Sequence, residues 1–135
     1  MYLIDTSVWI DYLRNKDTPA ASYIAQLLDS QMSFGITEHI YMEILQGAGS
    51  DKTLEILDDY FSGQRFYGFS ESIVSHAVAA RIYYGCRRRG ITIRSSLDCL
   101  IAQVAREHEL TLVHQDRDFL AMAAVVPDLK QHHFL

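Results

Sequence analysis

Short apolar runs alternate with stretches of helical pattern along this chain, and that alternation limits its fold more than any other feature. Tyr2-Leu3-Ile4, Ser33-Phe34-Gly35-Ile36, Arg65 to Phe69 and Leu110-Thr111-Leu112-Val113 read as strands. Between them, helical patterns cover Thr6 or Ser7 to Leu13, about Ala20 to Leu28, His39 to Gln46 after a Thr37 cap, and about Thr53 to Phe61. A long helix capped by Ser70 runs to near Arg89, with Gly90 just beyond it, and a last one spans Asp116 to Ala123. The clearest helix is capped by Ser95 or Ser96 and places Leu97, Leu100, Ile101 and Val104 on one stripe. Strands separated by helices must be joined by crossovers, so the expected fold is α/β, a central mostly parallel β-sheet flanked by helices.

At 135 residues the chain matches one domain with one core, expected to span 1–135. Two cysteines form no disulfide framework, and Cys86 and Cys99 read as packing thiols. No apolar run reaches the ~20 residues of a membrane span, and Tyr2 to Ile10 is interrupted by Asp5 without a basic leader. The expectation is a soluble, cytoplasmic protein with no membrane partner.

In open parallel sheets the functional crevice lies outside the carboxyl ends of the strands. Asp5 directly follows the first strand, while Asp116 and Asp118 stand just past the last strong one, so both acid sites belong at one rim. Asp is also a common turn and capping residue at such positions. Asp98 falls in the first turn of its helix, where a carboxylate suits either a capping box or a metal site. Glu43 lies three residues beyond the apolar Ile40, at the edge of a buried face, and must pair, bind a cation or reach water. Carboxylates gathered together repel and raise one another's pKa unless a cation neutralises them. Oxygen-only ligands suit Mg²⁺ or Mn²⁺, and such a centre supports phosphodiester hydrolysis by an activated water.

Leu3-Ile4-Asp5-Thr6-Ser7-Val8, the helical Glu43, Leu97-Asp98-Cys99-Leu100-Ile101-Ala102 and Leu112-Val113-His114-Gln115-Asp116-Arg117-Asp118-Phe119 together resemble PIN-domain ribonucleases, most of all the small VapC-like toxins of toxin–antitoxin modules. The resemblance runs in order over essentially the whole chain. It implies a Mg²⁺- or Mn²⁺-dependent endoribonuclease with Asp5 and Asp98 as principal metal ligands and Asp116 completing the site. Glu43 would position or deprotonate the attacking water, Asp118 would share or take over the part of Asp116, and Thr6 and Ser96 would orient ligands. It further implies a structured RNA substrate such as transfer RNA, a homodimer, and a cognate antitoxin that obstructs the acidic site.

The chain carries 17 acids, 12 bases and a net charge of −5, which opposes a nucleic-acid partner held by electrostatics alone. Setting aside Asp5, Glu43, Asp98 and Asp116 leaves 13 acids against 12 bases, so bound cations would cancel most of the excess. Arg87, Arg88, Arg89 and Arg94 are candidates for RNA contact, with solvation of a helix C-terminus the plainer account. Tyr83 and Tyr84 could stack on bases, and Trp9 could serve an interface. His114 reads as structural and His132-His133 as an inert tail.

Two other classes compete. A phosphoacceptor signalling domain needs a lysine after a core strand, and Lys16, Lys52 and Lys130 do not supply one. A catalytically inactive PIN-like module would bind RNA or a partner without cutting, and the intact acid set argues against it.

Overall fold

The computed structural model describes all 135 residues. Four parallel strands form one sheet: β1 (Tyr2–Ile4), β2 (Phe34–Gly35), β3 (Thr111–His114) and β4 (Gln131–His133), in the spatial order β2-β1-β3-β4. The helices are α1 (Thr6–Leu13), α2 (Pro19–Asp29), α3 (Glu38–Gln46), α4 (Asp51–Phe61), α5 (Ser72–Arg88), α6 (Ser96–Glu107) and α7 (Arg117–Met122). Leu3, Ile4, Leu112 and Val113 have no exposed surface, as strands covered on both faces require. Trp9, Phe61, Ile24, Ile40, Ile101 and Phe119 fill the space around them from the helices. Trp9 is therefore core, packed edge-on to Phe61 at 5.0 Å between ring centres, and is not an interface residue.

β1 and β3 are neighbours in register, Ile4 opposite Val113. Being parallel and adjacent, they end at the same rim. Asp5 N–H then donates to the Val113 carbonyl at 2.9 Å, and Gln115 N–H donates to Ser7 Oγ at 3.0 Å, stitching the two strand exits together.

Three local expectations change. The predicted strand at Arg65 to Phe69 reduces to a single bridge, Phe66 against Ile36, held by two hydrogen bonds. Its partner β2 has only two residues, so there is no longer edge to extend along. The residues read as a tail form β4, with His132 opposite Val113 and His133 opposite His114. His132 also stacks on Tyr23 of α2 at 4.6 Å, which fixes a segment with no apolar alternation of its own. Finally, α1 is capped by Asp5 rather than Thr6 or Ser7, and the N-cap position of α5 falls to Glu71, without a side-chain bond, rather than to Ser70. Ser70 instead gives both its N–H and its hydroxyl to Glu107 Oε1. No helix is long and apolar enough to cross a membrane.

Candidate active site

Each acid at the rim is placed by a local structural rule. Asp5 ends β1 and caps α1, its Oδ2 accepting Ser7 N–H at 3.0 Å and Ser7 Oγ–H at 2.6 Å. Asp116 caps α7, its Oδ1 accepting Asp118 N–H at 2.9 Å. Asp98 lies in the first turn of α6, behind the Ser95 cap. Glu43 projects from the middle of α3, half-buried one residue before the buried Ile44. For Asp5 and Asp116 the cap fixes the backbone through one carboxylate oxygen, Oδ2 of Asp5 and Oδ1 of Asp116.

Glu43, Asp98, Asp116 and Asp118 line one open cavity of about 270 Å³, together with Arg94, Ser95 and Leu97. One carboxylate oxygen each from Asp98, Asp116 and Asp118 lie within 4.8 Å of one another. Asp5 lies deeper, only 6% exposed, yet its charge is felt by both Glu43 and Asp98. Burial and then the charges of Asp116, Asp5, Asp118 and Glu43 push the Asp98 carboxyl up to about 7. Burial raises Asp5 and Glu43 as well, each further raised by a neighbouring acid. The four separated acids thus share one electrostatic environment at one rim.

These residues fit a hard divalent cation. The donors are all oxygens, the set that Mg²⁺ and Mn²⁺ prefer. Thr6 Oγ1 is buried without a hydrogen-bond partner, and its hydroxyl is close enough to Glu43 to lower that carboxyl's pKa. A buried hydroxyl without a protein partner within hydrogen-bond geometry is commonly satisfied by a bound water.

The other candidates separate. Ser95, not Ser96, lines the acidic cavity; Ser96 lines a neighbouring one with His76, Tyr83 and Leu100. Arg94 lies at the site, while Arg87, Arg88 and Arg89 lie at the end of α5 and do not line it. Arg87 and Arg88 instead lie over the rings of Tyr83 and Tyr84. Of the expected α6 stripe, Ile101 and Val104 are buried and Leu97 and Leu100 are half-buried beside these cavities, with Cys99, Ala102 and Ala105 completing the buried face.

His114 is fully buried and structural. Its Nδ1 accepts Asp116 N–H at 3.1 Å and its Nε2 lies 2.7 Å from Gln131 Oε1, so the neutral ring with hydrogen on Nε2 satisfies both contacts. Burial is also the main reason its pKa falls. Cys86 and Cys99 are buried and unbridged, and burial pushes the Cys99 thiol up to about 12, far from a reactive thiolate. No lysine lines the acidic cavity, as a phosphoacceptor domain would need.

A parallel sheet with carboxylates from four segments gathered outside its strand ends defines a class, α/β domains with an acidic site at the carboxyl rim. A family model described as the PIN domain matches residues 2–125. The chain belongs to the PIN domain family. It is 40% identical over 126 residues to VapC ribonuclease Mb1587 of Mycobacterium bovis and to ribonuclease VapC11 of Mycobacterium tuberculosis, covering 93% of each chain. Among solved structures, VapBC2 from Rickettsia felis bound to promoter DNA shares the fold at a TM-score of 0.72 and 17% identity, over 99% of this chain and 98% of that one. VapBC-1 from nontypeable Haemophilus influenzae does so at 0.72 and 20% identity, over 98% and 96%.

Proposed function

We propose that residues 1–135 act as a single PIN domain, a divalent-cation-dependent endoribonuclease toxin that cuts structured RNA such as transfer RNA in the cytoplasm. A cognate antitoxin would silence it, and the working form would be a homodimer. The observation that carries this reading is the gathering of Asp5, Glu43, Asp98 and Asp116 at one rim in a chain 40% identical to named ribonucleases.

Asp98 and Asp116 would hold Mg²⁺ or Mn²⁺ from the cavity wall, with Asp5 behind them; the cation would lower the pKa of a bound water and neutralise charge on the phosphoryl oxygens. Glu43 faces the same space, and burial together with the charge of Asp5 raises its carboxyl, which makes it a stronger base toward the attacking water. Thr6 Oγ1 would orient that water or its neighbour. Asp5 does double duty, since its grip on Ser7 also fixes the exit of β1.

The test is cleavage of transfer RNA by the purified chain. Mg²⁺ or Mn²⁺ should be required, and Asp5→Asn and Asp98→Asn should each lower the rate by at least about 100-fold while circular dichroism stays unchanged. Undiminished cutting in excess chelator would remove the cation from the mechanism, and undiminished cutting by Asp98→Asn would remove the site.

A further inference from the structure

Arg94 stands apart from every other arginine in the chain because two carboxylates of the acidic cavity hold it on one edge. Its Nε donates to Asp118 Oδ2 at 3.1 Å and its Nη2 to Asp116 Oδ1 at 2.8 Å. Its backbone N–H donates to the same Asp118 Oδ2 at 3.0 Å, so Asp118 fixes both the main chain and the side chain of Arg94. Asp118 is 7% exposed, whereas the Arg94 side chain is 71% exposed.

Guanidinium has five N–H donors in a fixed plane. The edge formed by Nε and Nη2 is engaged by the two acids. The outer edge, with both hydrogens of Nη1 and the second of Nη2, makes no bond within the protein and faces solvent at the mouth of the cavity. Two parallel N–H groups on a held plane match two oxygens of a phosphodiester. An arginine wanted only for charge balance would not need a buried acid holding its backbone and its Nε together.

We propose that Arg94 is the phosphate-binding residue of this site and that Asp118 is its positioning residue rather than a cation ligand. The inference rests on the ribonuclease reading and deepens it, assigning the substrate contact to the chain's own cation at the rim. Asp116 and Asp118 each have one carboxylate oxygen taking two N–H groups, but Asp118 is the more buried of the two and both of its bonds come from Arg94. Asp118 Oδ2 takes two N–H groups from Arg94, and Asp116 Oδ1 takes Arg94 and Asp118 N–H, while Asp98 has no hydrogen-bonded partner and both its oxygens stay free for a cation. Arg87, Arg88 and Arg89 do not line the acidic cavity and would contribute at most diffuse attraction.

The experiment separates cation binding from RNA binding. Mn²⁺ affinity is read on the free protein by electron paramagnetic resonance. Binding of end-labelled bulk transfer RNA is read by fluorescence anisotropy, in Mn²⁺, in a Glu43→Gln background that binds without cutting. Arg94→Gln and Asp118→Asn should each weaken RNA binding by roughly 10-fold or more. Each should also reduce the slope of log affinity against log salt by about one phosphate contact. Mn²⁺ affinity should stay within about threefold of the parent, and the double variant should bind RNA no worse than Arg94→Gln, because the two residues act as one unit. Arg94→Lys, which keeps the charge but cannot bridge two acids and a phosphate, should share the defect, and it covers the case in which Asp118→Asn fails to fold.

Loss of Mn²⁺ binding in Asp118→Asn would make Asp118 a cation ligand and overturn the assignment. Unchanged RNA affinity and salt slope in Arg94→Gln would overturn it too, as would a large gain in Mn²⁺ affinity with RNA binding untouched, which would make Arg94 a mere competitor for the acids. If the unaltered protein fails to cut RNA with any divalent cation, the ribonuclease reading fails instead, and that outcome is scored separately on the parent chain.

Discussion

Asp98 gives the residue scale its sharpest consequence. Its carboxyl is held up at about 7 in the fold against an ordinary value of 3.8, by burial first and by four neighbouring acids second. A group whose folded pKa is raised contributes its full stability below the unfolded value and loses it as pH rises through the folded one. The cation-free protein should therefore weaken between about pH 4 and pH 7 through this residue. Asn mimics the neutral acid and removes the penalty. With solvent screening of a partly exposed group allowed for, the gain is on the order of 1 kcal/mol, or ~4 °C in Tm. Asp98→Asn should thus melt higher than the parent at pH 8 in chelator and level with it at pH 4, in a pair of thermal scans. An equal difference at both pH values would mean that the amide acts through packing. Asp5, Asp98 and Asp116 were legible because a strand end, a helix cap and a first turn are local signals. The partnership of Arg94 with Asp116 and Asp118 was not, since it closes across 22 and 24 residues. Along the chain Arg94 reads as one more member of a basic run, whereas in space Gly90, with φ +74°, ends the helix that carries the other three.

Elements were legible in proportion to how much of their stability is local. The helices with a side-chain cap and an apolar stripe are found within a few residues of their predicted ends, α3 behind Thr37 and α6 behind Ser95 among them. Strand β4 was not legible, because Gln131-His132-His133 gains its place from β3 and from the Tyr23 ring. Gln131 is the connecting piece: its Oε1 meets His114 Nε2 and its Nε2 donates to the Phe119 carbonyl, so β3, β4 and α7 are tied behind the acidic rim. At the other edge, β2 is short because the chain crosses it closely. A Cβ on Gly35 would come 2.5 Å from Tyr67 Cε2 and 2.6 Å from the Arg65 carbonyl oxygen. The tyrosine ring could turn, but the carbonyl belongs to the residue that accepts Ile36 N–H at 3.0 Å and cannot withdraw without losing that bond. Gly35→Ala should therefore destabilise the protein by about 2–3 kcal/mol, the cost of an overpacked core. A denaturant titration checks this. A midpoint matching the parent would show that the 65–67 segment is free to move away from β2.

Across the whole molecule, the excess of acids over bases is concentrated at one place. Of the net charge of −5, all but −1 disappears when Asp5, Glu43, Asp98 and Asp116 are set aside. Two kinds of cation effect can be told apart on that basis. A diffuse acidic surface is relieved by any salt through screening, with a Debye length of ~8 Å at physiological ionic strength. A site that binds the folded state and not the unfolded one stabilises instead by mass action, by about 2.7 kcal/mol at a free cation concentration 100 times its Kd. The raised carboxyls make that gain depend on pH, because a cation must first displace the proton that Asp98 retains up to about 7. Mn²⁺ should accordingly raise Tm strongly at pH 8 and little at pH 5, inverting the pH slope of the cation-free protein. Sodium chloride at matched ionic strength should do neither, and Asp98→Asn should lose most of the Mn²⁺ response. Scanning fluorimetry over the four combinations of cation and pH decides the matter: equal stabilisation by sodium chloride, or a full Mn²⁺ response in Asp98→Asn, would spread the cation effect over the surface and leave the rim without a special claim on it.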